Sequence, residues 1–175
     1  ISACLVGSEM CIRDRDDIEA IELGVLSGGR LLVADPIEAK REPHNVVDAQ
    51  FSAPFAAAVA LATGKADFTV YTQAQVDNAA VRALMRKTSC CENAALDAVY
   101  PQHWPAAAAI RLRSGQVLHA EQPFPLGEPE NPVSPEALAD KFRQLTGATW
   151  ADEAIHRIRA LPEGDIDGIL VLFAR

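Results

Sequence analysis

The spacing of apolar and polar positions divides the chain into helices with marked ends and a few alternating strands. The clearest element lies in residues 48–64, DAQFSAPFAAAVALATG. Ser52 is a helix N-cap, because its hydroxyl can accept from a backbone N–H that the first turn leaves unpaired. Pro54 suits that turn, where its missing N–H costs nothing. Gly64 is the left-handed stop. Phe55, Val59 and Ala62 fall on one face at helical spacing. Phe51 stands just before the cap, where it can pack back on Phe55. The other positions are nearly all alanine, which lets neighbouring backbone come close. The pattern predicts the central helix of the domain, buried on more than one side.

The flanking segments are less regular. Residues 18–26 alternate at Ile21, Leu23 and Val25 with Glu22 facing away, as a half-buried strand does. Ser27-Gly28-Gly29 turns the chain, and residues 30–33 are expected to form a second short strand. Residues 35–45, with Pro36, Pro43 and mixed charges, are expected to be a loop. In residues 65–75, Phe68, Val70 and Tyr71 are the expected core contacts. Asp77 is placed to cap a helix running to Lys87, with Val81, Leu84 and Met85 inside and Arg82 and Arg86 outside. Residues 88–92 suit a short strand.

Residues 106–113 set Ala108, Ile110 and Leu112 against Arg111 and Arg113. Ser114-Gly115 is a tight turn and residues 116–120 return, so a hairpin is predicted. Residues 123–135 form a proline-rich connector. Ser134, Pro135 and Glu136 open a helix that Gly147 closes. Thr149 and Asp152 have capping-box spacing for a further helix carrying Trp150, Ala154, Ile155 and Ile158. Residues 166–173 are expected to form a short helix capped by Asp165. The class is α+β, a small mixed sheet with a hairpin packed against helices.

Composition narrows the function. The chain has 175 residues, 49% hydrophobic and 23% charged, with a formal net charge of -8. An acidic surface repels phosphate, so neither nucleic acid nor an anionic membrane is an expected partner. No apolar run approaches the roughly 20 residues of a transmembrane helix. Cys4, Cys11, Cys90 and Cys91 lack zinc-site spacing, and adjacent cysteines rarely bridge, which fits a reduced, cytoplasmic compartment. Residues 5–14, LVGSEMCIRD, reproduce a translated transposase-type sequencing adapter. Residues 1–15 are therefore expected to be a disordered artefact. Residues 16–175 are expected to be one domain, part of a longer protein.

Recognisable catalytic patterns are missing. There is no phosphate loop, dinucleotide fingerprint, HExxH or GxSxG elbow. His119 and His156 read as exposed positions on a strand and a helix. His103, in YPQHWP, is either a site residue or an edge histidine packed on an aromatic ring. Cys90 and Cys91 point to opposite faces of a strand, so both cannot serve one site. Lys40 and Arg41 sit in the loop before the central helix. Gln50 and Ser52 stand at its mouth, where a helix N-terminus also offers N–H groups to an anion. The substrate-facing candidates are thus Lys40, Gln50, Ser52 and His103, with a plain capping role as the alternative for Ser52.

The order of pieces resembles the C-terminal domain of the MmgE/PrpD family. The resemblance is carried by IEAIEL, DAQFSAPFAAAVALATG, the Val81–Leu84–Lys87 helix, IRLRSGQVLHA and PFPLGEPENPVSPEALADKF. The family often has tyrosine where this chain has Phe55, and SCCEN stands in place of a valine-rich strand. The resemblance implies a homodimeric lyase or isomerase that acts on a small polycarboxylate without metal or other cofactor. Members include 2-methylcitrate dehydratase, cis-aconitate decarboxylase and iminodisuccinate epimerase. It also implies an α+β lid domain, with much of the catalytic machinery (Asp, His and Lys) on a separate helical domain and another part in a tyrosine/cysteine/histidine stretch at the start of the lid. Neither is expected in this sequence, so no catalytic residue is expected here. A non-catalytic α+β module binding a partner through its apolar helix is the alternative.

Overall fold

The computed structural model describes residues 15–161. Most of the segment read as adapter, and the helix expected over residues 166–173, lie outside the described residues. Two compact units divide the chain between Leu126 and Gly127.

The first unit is built on a four-stranded sheet. Strand β1 (Ile18–Val25) lies between β2 (Thr88–Glu92) and β3 (Ala106–Leu112), and β4 (Val117–Gln122) pairs with β3 at the edge. β1 runs parallel to β2, with Ile21 opposite Thr88, and antiparallel to β3, with Ile21 opposite Ile110. The β3–β4 hairpin turns at Gly115, whose φ of 86° suits glycine. The sheet is therefore mixed, as expected of an α+β domain.

Between β1 and β2 the chain makes six α-helical segments besides two 3-10 turns. They are α1 (Arg30–Val33), α2 (Ile37–Arg41), α3 (Val46–Gln50), α4 (Ala53–Thr63), α5 (Gln73–Val76) and α6 (Ala79–Arg86). α4 is the predicted central helix. The Ser52 hydroxyl accepts from the Phe55 N–H at 3.0 Å, and Gly64 closes the helix at φ 70°. Ala53, Phe55, Ala57, Ala58, Val59 and Ala60 are all buried, so burial runs round the helix instead of along one stripe. All of these but Ala60 share a core with Ile21, Leu23 and Ile110 of the sheet and Val81, Leu84 and Met85 of α6.

Several local expectations need correction. Residues 30–33 form a helical turn, not a strand: Ala34 and Asp35 both donate to the Arg30 carbonyl, and the Arg30 side chain pairs with Asp35 and Glu92. The expected loop contains α2, which starts after Pro36, a residue that tolerates the first turn. Asp77 closes α5, and the neighbouring Asn78 caps α6 by accepting from Ala80. Phe68 sits on a short 3-10 turn and is 39% exposed, while Val70 beside it is buried. Arg82 is not solvated surface. Its guanidinium donates to the carbonyls of Val76 and Pro43, at 2.9 and 3.0 Å. After β2 a short helix, α7 (Ala94–Asp97), is capped by Asn93.

In the second unit, α8 (Pro135–Thr146) has the predicted ends. The Ser134 hydroxyl accepts from Ala137, and Gly147 stands at φ 59°. α9 (Ala151–Arg159) starts without a side-chain cap, because Asp152 turns to Arg143 at 2.7 Å instead of closing a box with Thr149. Arg159 donates to the Pro135 carbonyl at the opposite end. These two ties make α8 and α9 an antiparallel pair, which buries Ala139, Ala151 and Ala154.

Candidate functional site

The start of α4 gathers two of the sequence candidates. Ser52 is 2% exposed, and its hydroxyl donates to the Lys40 carbonyl at 2.5 Å while accepting from Phe55. Both bonds are internal to the fold. The Lys40 ammonium donates to the Leu32 carbonyl. Gln50 is exposed at the end of α3. The helix N-terminus offers an anion little, since Pro54 has no N–H and that of Phe55 is taken.

Lys40 also lines a cleft of about 520 Å³ with Asp35, Glu38, Glu42, His44 and Asp48. Asp48 accepts from the His44 backbone N–H at 3.1 Å. Four carboxylates face one lysine, so the field in this cleft opposes a polyanion.

His103 stands apart from this group. Its ring meets Phe124 edge-on with centroids 5.0 Å apart, and Trp104 meets Tyr100 in the same way at 4.9 Å. The Phe55 ring is fully buried and lies 5.5 Å from Tyr71. Burial raises the Tyr71 phenol above its ordinary pKa.

The sheet register assembles one further group that sequence reasoning missed. Glu22, Cys91, His119 and Glu121 surround a hollow of about 150 Å³ on the sheet, floored by Gly24, Ala107 and Ala109. Pairing brings them together: Gly24 lies opposite Cys91 and Ala107, Ala109 lies opposite His119, and Ala107 lies opposite Glu121. A methyl group at Gly24 would come within 3.3 Å of the Ala107 Cβ, so glycine keeps the floor open. The signal was present as strand alternation, but the strand order that joins the faces is not. Burial, then the Glu22 charge, raises the Cys91 thiol, which disfavours the nucleophilic thiolate. Cys90, on the other side of β2, is pushed up to about 11 by burial foremost.

The cations of the first unit are largely committed to the fold. Arg15, Lys40, Arg41, Arg82 and Lys87 each donate to a backbone carbonyl, and Arg30 pairs with two carboxylates. Arg111 and Arg113 are exposed on the hairpin, away from the Lys40 cleft. No group of His, Cys, Asp and Glu among the described residues is placed to hold a metal. No helix there is long and apolar enough to cross a membrane.

A family profile described as the MmgE/PrpD C-terminal domain matches residues 5–163. The chain belongs to the MmgE/PrpD family. No curated protein matches it. The match covers residues of both compact units. In this MmgE/PrpD chain the FSAPF segment carries Phe55 into the core, and no phenol stands at that position.

Proposed function

We propose that this chain is the lid domain of a MmgE/PrpD-type lyase or isomerase that acts on a small polycarboxylate. The reaction starts with removal of a proton next to a carboxylate, and dehydration is the foremost form of it. A base takes that proton, and the adjacent hydroxyl leaves as water once an acid has protonated it. The base, the acid and the cations that hold the substrate belong to a helical domain outside this sequence. The enzyme works as a cytoplasmic homodimer without a metal or other cofactor. The lid closes over the substrate and excludes water, with Gln50 and Lys40 nearest the mouth.

One observation carries this reading: a domain of this family in which most cations of the first unit are bound to its own carbonyls and carboxylates. A substrate with two or three carboxylates needs several Arg or Lys groups converging on it. The cleft beside the start of α4 holds one lysine, Lys40, among four carboxylates.

The test is to express the chain alone and joined to the helical domain encoded upstream of it, then assay both against 2-methylcitrate, cis-aconitate and iminodisuccinate. Turnover of one of these acids by the joined protein alone supports the proposal. Turnover by the isolated chain would move the catalytic residues onto it. A joined protein inert towards all three would favour the non-catalytic module.

A further inference from the structure

The two edges of the sheet differ. At β2 the Arg41 guanidinium donates to the Thr88 carbonyl and Arg30 reaches Glu92, so side chains of α1 and α2 hold that edge. β4 is the other edge, and among the described residues no strand pairs with its outer side. The groups on that side can be named. At the hairpin end the Leu112 N–H donates to the Gln116 carbonyl. Backbone direction alternates along an antiparallel pair, so Leu118, Ala120 and Gln122 turn their N–H and C=O groups to β3. Val117, His119 and Glu121 turn theirs outward. β4 has no proline, lysine or bulge, the usual guards of an edge. The His119 and Glu121 side chains are exposed, and neither forms an ion pair among the described residues.

We propose that β4 pairs with β4 of a second copy of this chain, antiparallel about a two-fold axis at Ala120, so that one sheet runs through both copies. Charge selects the occupant and the register. With Ala120 opposite Ala120, His119 of each copy lies opposite Glu121 of the other. An imidazole N–H can donate to a carboxylate whether the ring is neutral or charged, and complementary cross-strand pairs stabilise a sheet. The same register joins the outward backbone. His119 and Glu121 exchange N–H to C=O bonds across the axis, and the Val117 N–H meets the Pro123 carbonyl. Pro123 has no N–H to continue the ladder and ends it there. Moving the axis to His119 would oppose the two histidines and set Glu121 against Val117. The strand is thus complementary to itself in one register, as a contact between identical patches requires. The inference concerns the first unit alone and does not rest on the proposed reaction.

The test uses the full 175-residue chain. The salt is held at about 0.15 M, where a Debye length of about 8 Å screens the repulsion between acidic copies. Sedimentation equilibrium should show a monomer passing to a dimer as the chain is concentrated from about 10 μM to about 1 mM. In a mixture of labelled and unlabelled copies, filtered Overhauser contacts should join the Ala120 Hα of one copy to the Ala120 Hα of the other. His119→Glu sets like charges opposite each other and should weaken the dimer about tenfold. The double variant H119E/E121K restores opposite charges and should recover it. A monomer throughout that range would overturn the proposal. So would a dimer whose contacts between copies miss Ala120, or contacts from the outer side of β4 to another segment of the same chain. A His119→Glu dimer as tight as the parent would overturn the register. The wild-type contacts decide even if a variant fails to fold.

Discussion

The Ser52 hydroxyl donates to the Lys40 carbonyl at 2.5 Å, and this bond ties the start of α4 to the end of α2. The same oxygen accepts from the Phe55 N–H. A group with its proton committed and a lone pair in use serves the fold first. Losing an N-cap costs about 1 kcal/mol, and leaving a partly buried carbonyl without its partner adds about as much. Ser52→Ala should therefore lower the unfolding free energy by about 2 kcal/mol. In the enzyme joined to its helical domain, kcat should stay within about twofold. Urea melts and steady-state rates on one preparation check both. Unchanged stability with a rate lowered about a hundredfold, the scale for losing one positioned donor, would put Ser52 in the active site.

Arg82 and Arg86 lie on the same helix and should respond differently to truncation. Arg82 holds the carbonyls of Val76 and Pro43, whereas Arg86 is exposed. Arg82→Ala should cost about 1–3 kcal/mol, because two acceptors lose a charged donor. Arg86→Ala should stay within about 0.5 kcal/mol, as surface changes do. Equal effects in denaturant titrations would contradict the assignment.

What was legible in the sequence was legible through end signals. Ser52, Pro54 and Gly64 frame α4, and Ser134, Pro135 and Gly147 frame α8, each by a local hydrogen bond or a local φ angle. The hairpin and β1 were legible through alternation. The helices of four or five residues were not, since a single turn shows no period. Arg30 holds one such turn through Glu92, a residue far along the chain, and no local pattern announces that pairing. The start of α9 misled for a related reason. Asp152 had a choice between Thr149 and Arg143, and the tertiary partner won. At the candidate site, the position of Lys40 near Ser52 was legible from proximity in sequence. Its acidic surroundings and the Glu22–Cys91–His119–Glu121 group needed the sheet order and the path of α2.

Phe55 is fully buried beside Tyr71, so the core has been shaped around a ring without a hydroxyl. Phe55→Tyr should cost about 1–3 kcal/mol, the penalty for burying a hydroxyl that finds no partner. Chemical denaturation reads this directly. A variant as stable as the parent would show that the ring edge reaches a polar partner or solvent.

Cys90 should resist alkylation. Its pKa is pushed from 9.0 to about 11, chiefly by burial, so at pH 8 its thiolate fraction is about a hundredfold below that of an unperturbed thiol. Site-resolved mass spectrometry with iodoacetamide should show a rate at Cys90 lower by about that factor than in the urea-unfolded chain. The same shift has a sign for stability. The folded state favours the protonated thiol, so this contribution is complete below pH 9 and is lost as pH rises towards 11. Equal rates in folded and unfolded chains would mean that β2 opens readily.

Under the proposed function, this domain does not hold a polycarboxylate by itself. The most direct measurement is a titration of the isolated 175-residue chain with 2-methylcitrate and cis-aconitate, followed by amide chemical shifts at fixed ionic strength. The predicted result is no saturable shift, corresponding to a Kd weaker than about 1 mM, at Lys40, Gln50, Ser52 or any other residue. The contrary result would be a saturating shift tighter than that and centred on the mouth of α4, which would place a substrate-binding site on this domain alone.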